Sequence, residues 1–215
     1  MMNSQRSANE SSPAPGKQSR DSGFSLAEFL MSAVILLILS AAVFSMLSEI
    51  QRTASYQTEV QAVLNNTRVA METVGRYIRQ AGNDPYNSGL TGIAIVSPTE
   101  VRIQSDLTGS ESPGNPDKGD PDGDHDDSGE NLAIRYNSTA RTIEIVPEGG
   151  PAQILAGYIS SLSLQYFDAG GNATNVGSDV RKIAVTISGT SLLPDPRTRK
   201  RYGVQFRSEI RLWSL

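Results

Sequence analysis

No cysteine occurs in this chain of 215 residues. A disulfide framework and a cysteine-ligated metal are therefore excluded, and the redox compartment stays open. Histidine occurs once, as His125, which argues against a Ser-His-Asp site and against the histidine-based ligand sets of zinc sites. No phosphate loop, nucleophile elbow or metal-protease helix is found, so catalysis is not expected. Paired carboxylates crowd only one acidic loop, which lacks the rigid supporting shell that catalysis needs. No internal repeat is evident. The net charge of -4 excludes a general affinity for nucleic acid, although a local patch stays open.

What the chain does have begins near its N-terminus. Residues 1–22 are polar, rich in Ser, Asn, Gln and Pro, and carry Arg6, Lys17 and Arg20. They show no apolar pattern and are expected to be disordered. From Phe29 to Ser48 no charge interrupts an apolar run, and about 20 such residues cross a hydrocarbon core as a helix. A strand exposed to lipid would leave backbone groups unpaired, so helix is expected. The run is too long for a secretory signal peptide, and the helical pattern continues past it. Lys17 and Arg20 on the near flank predict a cytoplasmic N-terminus and an exported remainder. Beyond the run, Val60, Val63, Leu64, Thr67, Met71, Val74, Ile78 and Ala81 recur at three- and four-residue steps, one stripe of an amphipathic helix. Gly82 and Asn83 suit a C-cap and Pro85 cannot continue the helix. One helix from about Phe24 to Ala81, about 85 Å at roughly 1.5 Å per residue, is predicted.

The stretch GFSLAEFLMSAVILLIL, Gly23 to Leu39, resembles the class III signal of type IV prepilins and type II secretion pseudopilins. Glycine, phenylalanine, an acid at the fifth position after the glycine and an unbroken apolar run coincide. The resemblance implies that a membrane peptidase cuts after Gly23 and N-methylates Phe24. It also implies a role for Glu28. The new amine at Phe24, on a neighbouring subunit or on the same chain, answers its charge in a packed fibre. Without that resemblance, Glu28 is an interfacial glutamate just inside a helix start, favoured by the helix dipole.

After Pro85 the pattern changes to short alternating runs. GIAIV and EVRIQ flank SPT around Pro98, and NLAIRYN and RTIEIV are split by STA, two predicted hairpins. ISSLSLQYF sets Leu162, Leu164 and Tyr166 on one face, and VRKIAVTIS does so with Ile183, Val185 and Ile187. GVQFRSEIRL places Val204, Phe206, Ile210 and Leu212 inward, with Gln205, Arg207, Glu209 and Arg211 outward. Alternation of this kind marks an antiparallel sheet with one wet face, and the stripe of the long helix is the partner available to the other. The expected fold is α+β: a long N-terminal helix packed on an antiparallel sheet, the architecture of the pilin family. The expected organisation is a cleaved leader, 1–23; a membrane-spanning and later fibre-core half-helix, 24–48; an amphipathic half, 49–84; and an exported β domain, 85–215, with an acidic loop at 106–130. RYIRQAGNDP, the acidic insertion before ENLAIRY, and ISSLSLQYFDAGGN make the chain most similar to PilW-type minor pilins. The J-type minor pseudopilin of type II secretion is close behind.

The acidic loop holds Asp120, Asp122, Asp124, Asp126, Asp127 and Glu130 among glycines. Alternating carboxylates supply the hard oxygens that Ca²⁺ takes. The EF-hand register fails, because Asp127 stands where glycine is required after Asp122. A calcium site and a solvated, flexible loop both fit this composition, and His125 is expected to be an exposed loop residue. The one basic cluster is Arg197, Arg199, Lys200 and Arg201. Phosphate binding is one reading; a solvated hairpin loop after PDP is preferred. Trp213 and Phe206 are expected in the core or at a sheet edge rather than as ligand stackers.

Taken with the resemblance, the chain is expected to be a minor pilin. Its implied partners are the prepilin peptidase, other minor and major pilins, the inner-membrane assembly platform and the membrane itself. It would prime or cap pilus assembly, first as a single-pass inner-membrane precursor with its domain in the periplasm, then in the extracellular fibre. A secretion pseudopilin, or an adhesin or DNA-uptake subunit at the tip, is the alternative.

Overall fold

The computed structural model describes residues 25–109, 120–127 and 129–212. Gly23, Phe24 and Trp213 lie outside the described residues. One helix, α1, runs from Leu26 to Gln80, within two residues of the predicted span at each end. Gly82 adopts φ 73° just beyond it, the left-handed conformation that ends a helix and that glycine accepts without a Cβ penalty. The Gly82 amide then donates to the Gln104 carbonyl at 2.9 Å, which turns the chain out of the helix.

By internal contacts the chain divides into two units, Met1–Ser48 and Glu49–Leu215. In the first, α1 is apolar on all sides. Phe29, Leu30, Ile35, Leu37, Ile38 and Phe44 are all exposed. This is the one helix among the described residues long and apolar enough to cross a membrane.

The second unit holds the remaining helix turns and eight strands: β1 (Ile93–Ser97), β2 (Glu100–Gln104), β3 (Asn131–Asn137), β4 (Thr142–Pro147), β5 (Gln153–Ala156), β6 (Ile159–Phe167), β7 (Lys182–Pro194) and β8 (Arg201–Arg211). The layout is α+β. The predicted hairpins form as β1–β2 and β3–β4, both antiparallel. Two sheets form rather than one, a five-stranded meander β1-β2-β3-β4-β5 and a three-stranded meander β6-β7-β8. They are stitched by the Leu164 amide on the Pro98 carbonyl at 2.8 Å and the Ile159 amide on the Arg141 carbonyl at 3.0 Å. Strand β5 was not expected. Its four residues leave Gln153 and Ile154 exposed, too short a run to show alternation.

A single core joins the helix to both sheets. Ala70, Val74 and Ile78 of α1 meet Val101, Ile134 and Ile143 from one sheet and Leu162, Ile183 and Val185 from the other. The helix packs tightly on β7. A Cβ added at Gly189 would stand 2.2 Å from Thr67 Oγ1 and 3.0 Å from Val63 Cγ1, so the absence of a side chain there lets helix and sheet approach. Strand β8 alternates in the predicted phase, but Val204 and Phe206 are only half-buried while Ile210 and Leu212 are buried. It is an outer strand of its sheet, as is β6, and its full burial begins at Ile210, opposite Gly75 of α1.

Candidate functional site

Two places carry chemistry that core packing does not require: the start of α1 and the acidic loop. At the helix start, the Ser25 amide donates to Glu28 Oε2 at 2.9 Å and the Glu28 amide donates to Ser25 Oγ at 3.3 Å. This reciprocal pair is a capping box, which satisfies two of the amides that every helix start leaves over. The S-x-x-E spacing was readable in the sequence as Ser25 to Glu28 and was not singled out. Glu28 therefore has a local partner in this chain, independent of any amine at Phe24, which lies outside the described residues.

The acidic loop is pinned at both ends. Asp106 is fully buried. Its Oδ1 accepts the Asp122 amide at 3.2 Å and its Oδ2 the Gly123 amide at 2.9 Å. The Asp106 amide and carbonyl are in turn tied to Asn83 at 2.7 and 2.6 Å. Glu130 is 1% exposed, and its Oε1 accepts the amides of Leu107 and Thr108 at 2.6 and 2.7 Å. The loop's described base is thus built onto the helix exit and strands β2 and β3, unlike the freely solvated loop that composition suggests.

Between these anchors the acids divide. Asp120, Asp122, Asp124 and Asp126 are exposed, and Asp127 and His125 are half-buried. Asp122 Oδ1 accepts the Asp124 amide at 3.3 Å and Asp124 Oδ1 the Asp126 amide at 3.1 Å, so successive carboxylates bond the backbone two residues on. A hydrogen bond to Asp124, then its charge, raises the carboxyl of Asp126. Burial, then the charges of Glu130 and Asp122, raise that of Asp127. Among the described residues no three acidic or histidine side chains stand together as a metal-holding group. Asp127 and Glu130 are the two whose buried oxygens, Oδ2 and Oε2, have no hydrogen-bond partner.

The basic cluster is where the hairpin reading put it, with Arg197, Arg199 and Lys200 on the β7–β8 connection and Arg201 opening β8, all exposed. Asp195 organises the turn by accepting the amides of Arg197 and Thr198 at 2.7 and 2.8 Å. Those amides, Thr198 first, hold its carboxyl below the usual range.

Buried acids outside the acidic cluster escaped the sequence reading, Glu59 among them. Glu59 is 8% exposed, and its carboxylate accepts the amides of Leu192 and Leu193, the latter at 3.1 Å to Oε2. The β7–β8 register breaks between Thr190 and Pro194, which frees those amides for the helix. The signal existed. Glu59 extends the stripe of Val63 and Thr67 by one turn, but a charged residue in an apolar stripe is ordinarily assigned to the wet side.

No protein-family model matches this chain, and no curated protein matches its sequence.

Proposed function

We propose that this chain is a minor type IV pilin, a single-pass membrane precursor that is processed and packed into a fibre. The observation that carries the reading is the first half of α1, apolar on every side and exposed throughout from Leu26 to Ile50 at its large side chains. Exposing so much apolar surface to water is unfavourable by about 25 cal/mol per Å². Lipid covers such a surface first, and other helices of the same kind can cover it later. The alternation of polar leader, Gly23-Phe24, Glu28 and apolar run supports the same reading, as does the α+β unit that follows.

In this reading the prepilin peptidase cuts after Gly23 and methylates Phe24. The precursor sits in the inner membrane with its N-terminus in the cytoplasm and Glu49–Leu215 in the periplasm. The assembly platform then moves it into the fibre beside other minor and major pilins, where it primes or caps assembly. Its role is packing rather than catalysis. The α-amine made by cleavage gives Glu28 a second partner in addition to Ser25.

The direct test is to co-express the chain with a prepilin peptidase and sequence the mature N-terminus by mass spectrometry. Methylated Phe24 is expected. Any other mature N-terminus, or an uncut chain beside a control prepilin that is cut, overturns the proposal.

A further inference from the structure

Strand β7 ends in an apolar pair that the core does not take up. Leu192 is 50% exposed and Leu193 47%, although their amides are fixed on the Glu59 carboxylate. They border a groove of about 620 Å³ along α1. Its helical wall includes Ala54, Ser55, Thr58 and Ala62, side chains too small to cover two leucines. The turn that follows carries Arg197, Arg199 and Lys200, and Arg201 opens β8. Among the described residues none of these four cations forms an ion pair. The acids beside them, Asp195 and Glu59, are engaged by backbone amides, and four cations outnumber two acids. The turn itself is closed by the Asp195 amide on the Lys200 carbonyl at 2.8 Å and the Arg199 amide on the Asp195 carbonyl at 2.9 Å. An ordered frame thus presents unpaired positive charge next to exposed leucines.

The place of this patch in the chain says what covers it. The uncharged apolar run ends at Ser48 and the groove begins at Ala54. Residues 49–54 are helical, and each advances about 1.5 Å, so the groove opens roughly 8 Å beyond the run. That is inside the distance of about 10 Å over which charges still act at 0.1 M salt. We propose that the β7–β8 turn docks on an anionic lipid surface, its four cations against headgroup phosphates and Leu192 and Leu193 in the interfacial layer. The proposal rests on the membrane-anchored precursor proposed above and not on its later fibre. Each lysine or arginine near such a surface strengthens binding about fivefold. The anchor makes docking intramolecular, so a few cations suffice. A polyanion free in solution has no such tether and is repelled by the net charge of -4, which favours lipid over nucleic acid.

Because the chain has no cysteine, Thr198→Cys places a single thiol at the exposed turn for the environment-sensitive dye NBD. The labelled full chain is put into nanodiscs of phosphatidylcholine with or without phosphatidylglycerol. Blue-shifted emission, quenched by spin-labelled lipid, is expected with phosphatidylglycerol alone. It should vanish between 0.1 M and 1 M salt, where the screening length falls from about 10 Å to about 3 Å. Arg199→Gln and Lys200→Gln should each lower the docked-to-free ratio about fivefold, and reversing both to glutamate should abolish docking with the cooperative melt kept. If the reversed chain loses its melt, the two glutamine variants decide. Leu192→Ser with Leu193→Ser should remove the blue shift. The same dye at Thr91→Cys, exposed next to the Gly92 carbonyl that meets the chain near the helix exit, should stay silent. A silent Thr198→Cys probe in discs that retain the chain overturns this proposal alone. A chain that leaves the discs overturns the anchored precursor with it. Equal emission in both lipids, an unchanged response in the glutamine variants or the leucine variant, or an equal signal from Thr91→Cys also overturns it. So does a salt-sensitive shift of duplex DNA without any lipid response, which assigns the turn to nucleic acid.

Discussion

At the residue scale, Glu28 has Ser25 as its partner in the structure, and the proposed function adds a second. As the third residue after the Ser25 cap it closes a capping box, a role that glutamine fills as well. Pairing with a new amine needs the charge. Glu28→Gln should therefore keep the helix start yet lose fibre incorporation, whereas Glu28→Ala loses both. Circular dichroism of the precursor in micelles and fibre recovery from cells separate the two. Normal incorporation of the glutamine variant would leave capping as the whole role of Glu28.

Asp84 makes a second prediction at this scale. The Ser88 amide, followed by those of Leu90 and Gly89, lowers its carboxyl from the ordinary 3.8 to about 2. A carboxyl that binds its proton less readily when folded stabilises the folded loop above its unfolded value, and that contribution is lost as pH falls through the folded one. The 84–90 loop should hold above pH 3.8 and loosen as pH falls toward 2. The amide resonances of Ser88, Gly89 and Leu90 should titrate together with a midpoint near 2, and Asp84→Asn should flatten all three curves. Separate midpoints for the three amides would contradict a single carboxylate anchor.

At the element scale, the contact between α1 and β7 rests on one missing side chain and one buried acid. Gly189 leaves room for Thr67, whose Oγ1 is already committed to the Val63 carbonyl at 2.7 Å. Gly189→Ala should cost about 1–3 kcal/mol through overpacking. Adding Thr67→Ala should recover part of that loss, a coupling that a double-mutant cycle in denaturant measures. Glu59→Ala strands two strand amides and should cost about 1–3 kcal/mol. Glu59→Gln should cost less, because an amide oxygen still accepts.

At the scale of the whole molecule, the core draws its helical members from the second unit, Ala70 onward, and the exposed apolar helix belongs to the first. Glu49–Leu215 should therefore fold as a water-soluble fragment with a cooperative melt, while the full chain partitions into detergent. Phase partitioning of the two proteins checks this. An aggregated fragment would mean that the helix before Glu49 supports the fold.

How much of this was legible beforehand follows from the range of the forces involved. The span of α1, its stop at Gly82, both hairpins and the faces of β6 and β7 follow from local periodicity and turn chemistry, which a few consecutive residues carry. The capping box was equally local, and its reading needed only the Ser25–Glu28 spacing. Strand β5 was hidden because four residues with an exposed isoleucine have no pattern.

The amino-acid sequence by itself determined an α+β chain with one membrane-length apolar helix, because hydrophobic spacing and backbone preference act between near neighbours. Only the tertiary structure decided that the strands divide into two sheets, that Glu59 is buried against β7, and that two carboxylate oxygens at Asp127 and Glu130 are left unanswered. Those outcomes depend on amides and oxygens brought together from segments up to 134 residues apart. Their burial is created by packing, and no local pattern encodes it.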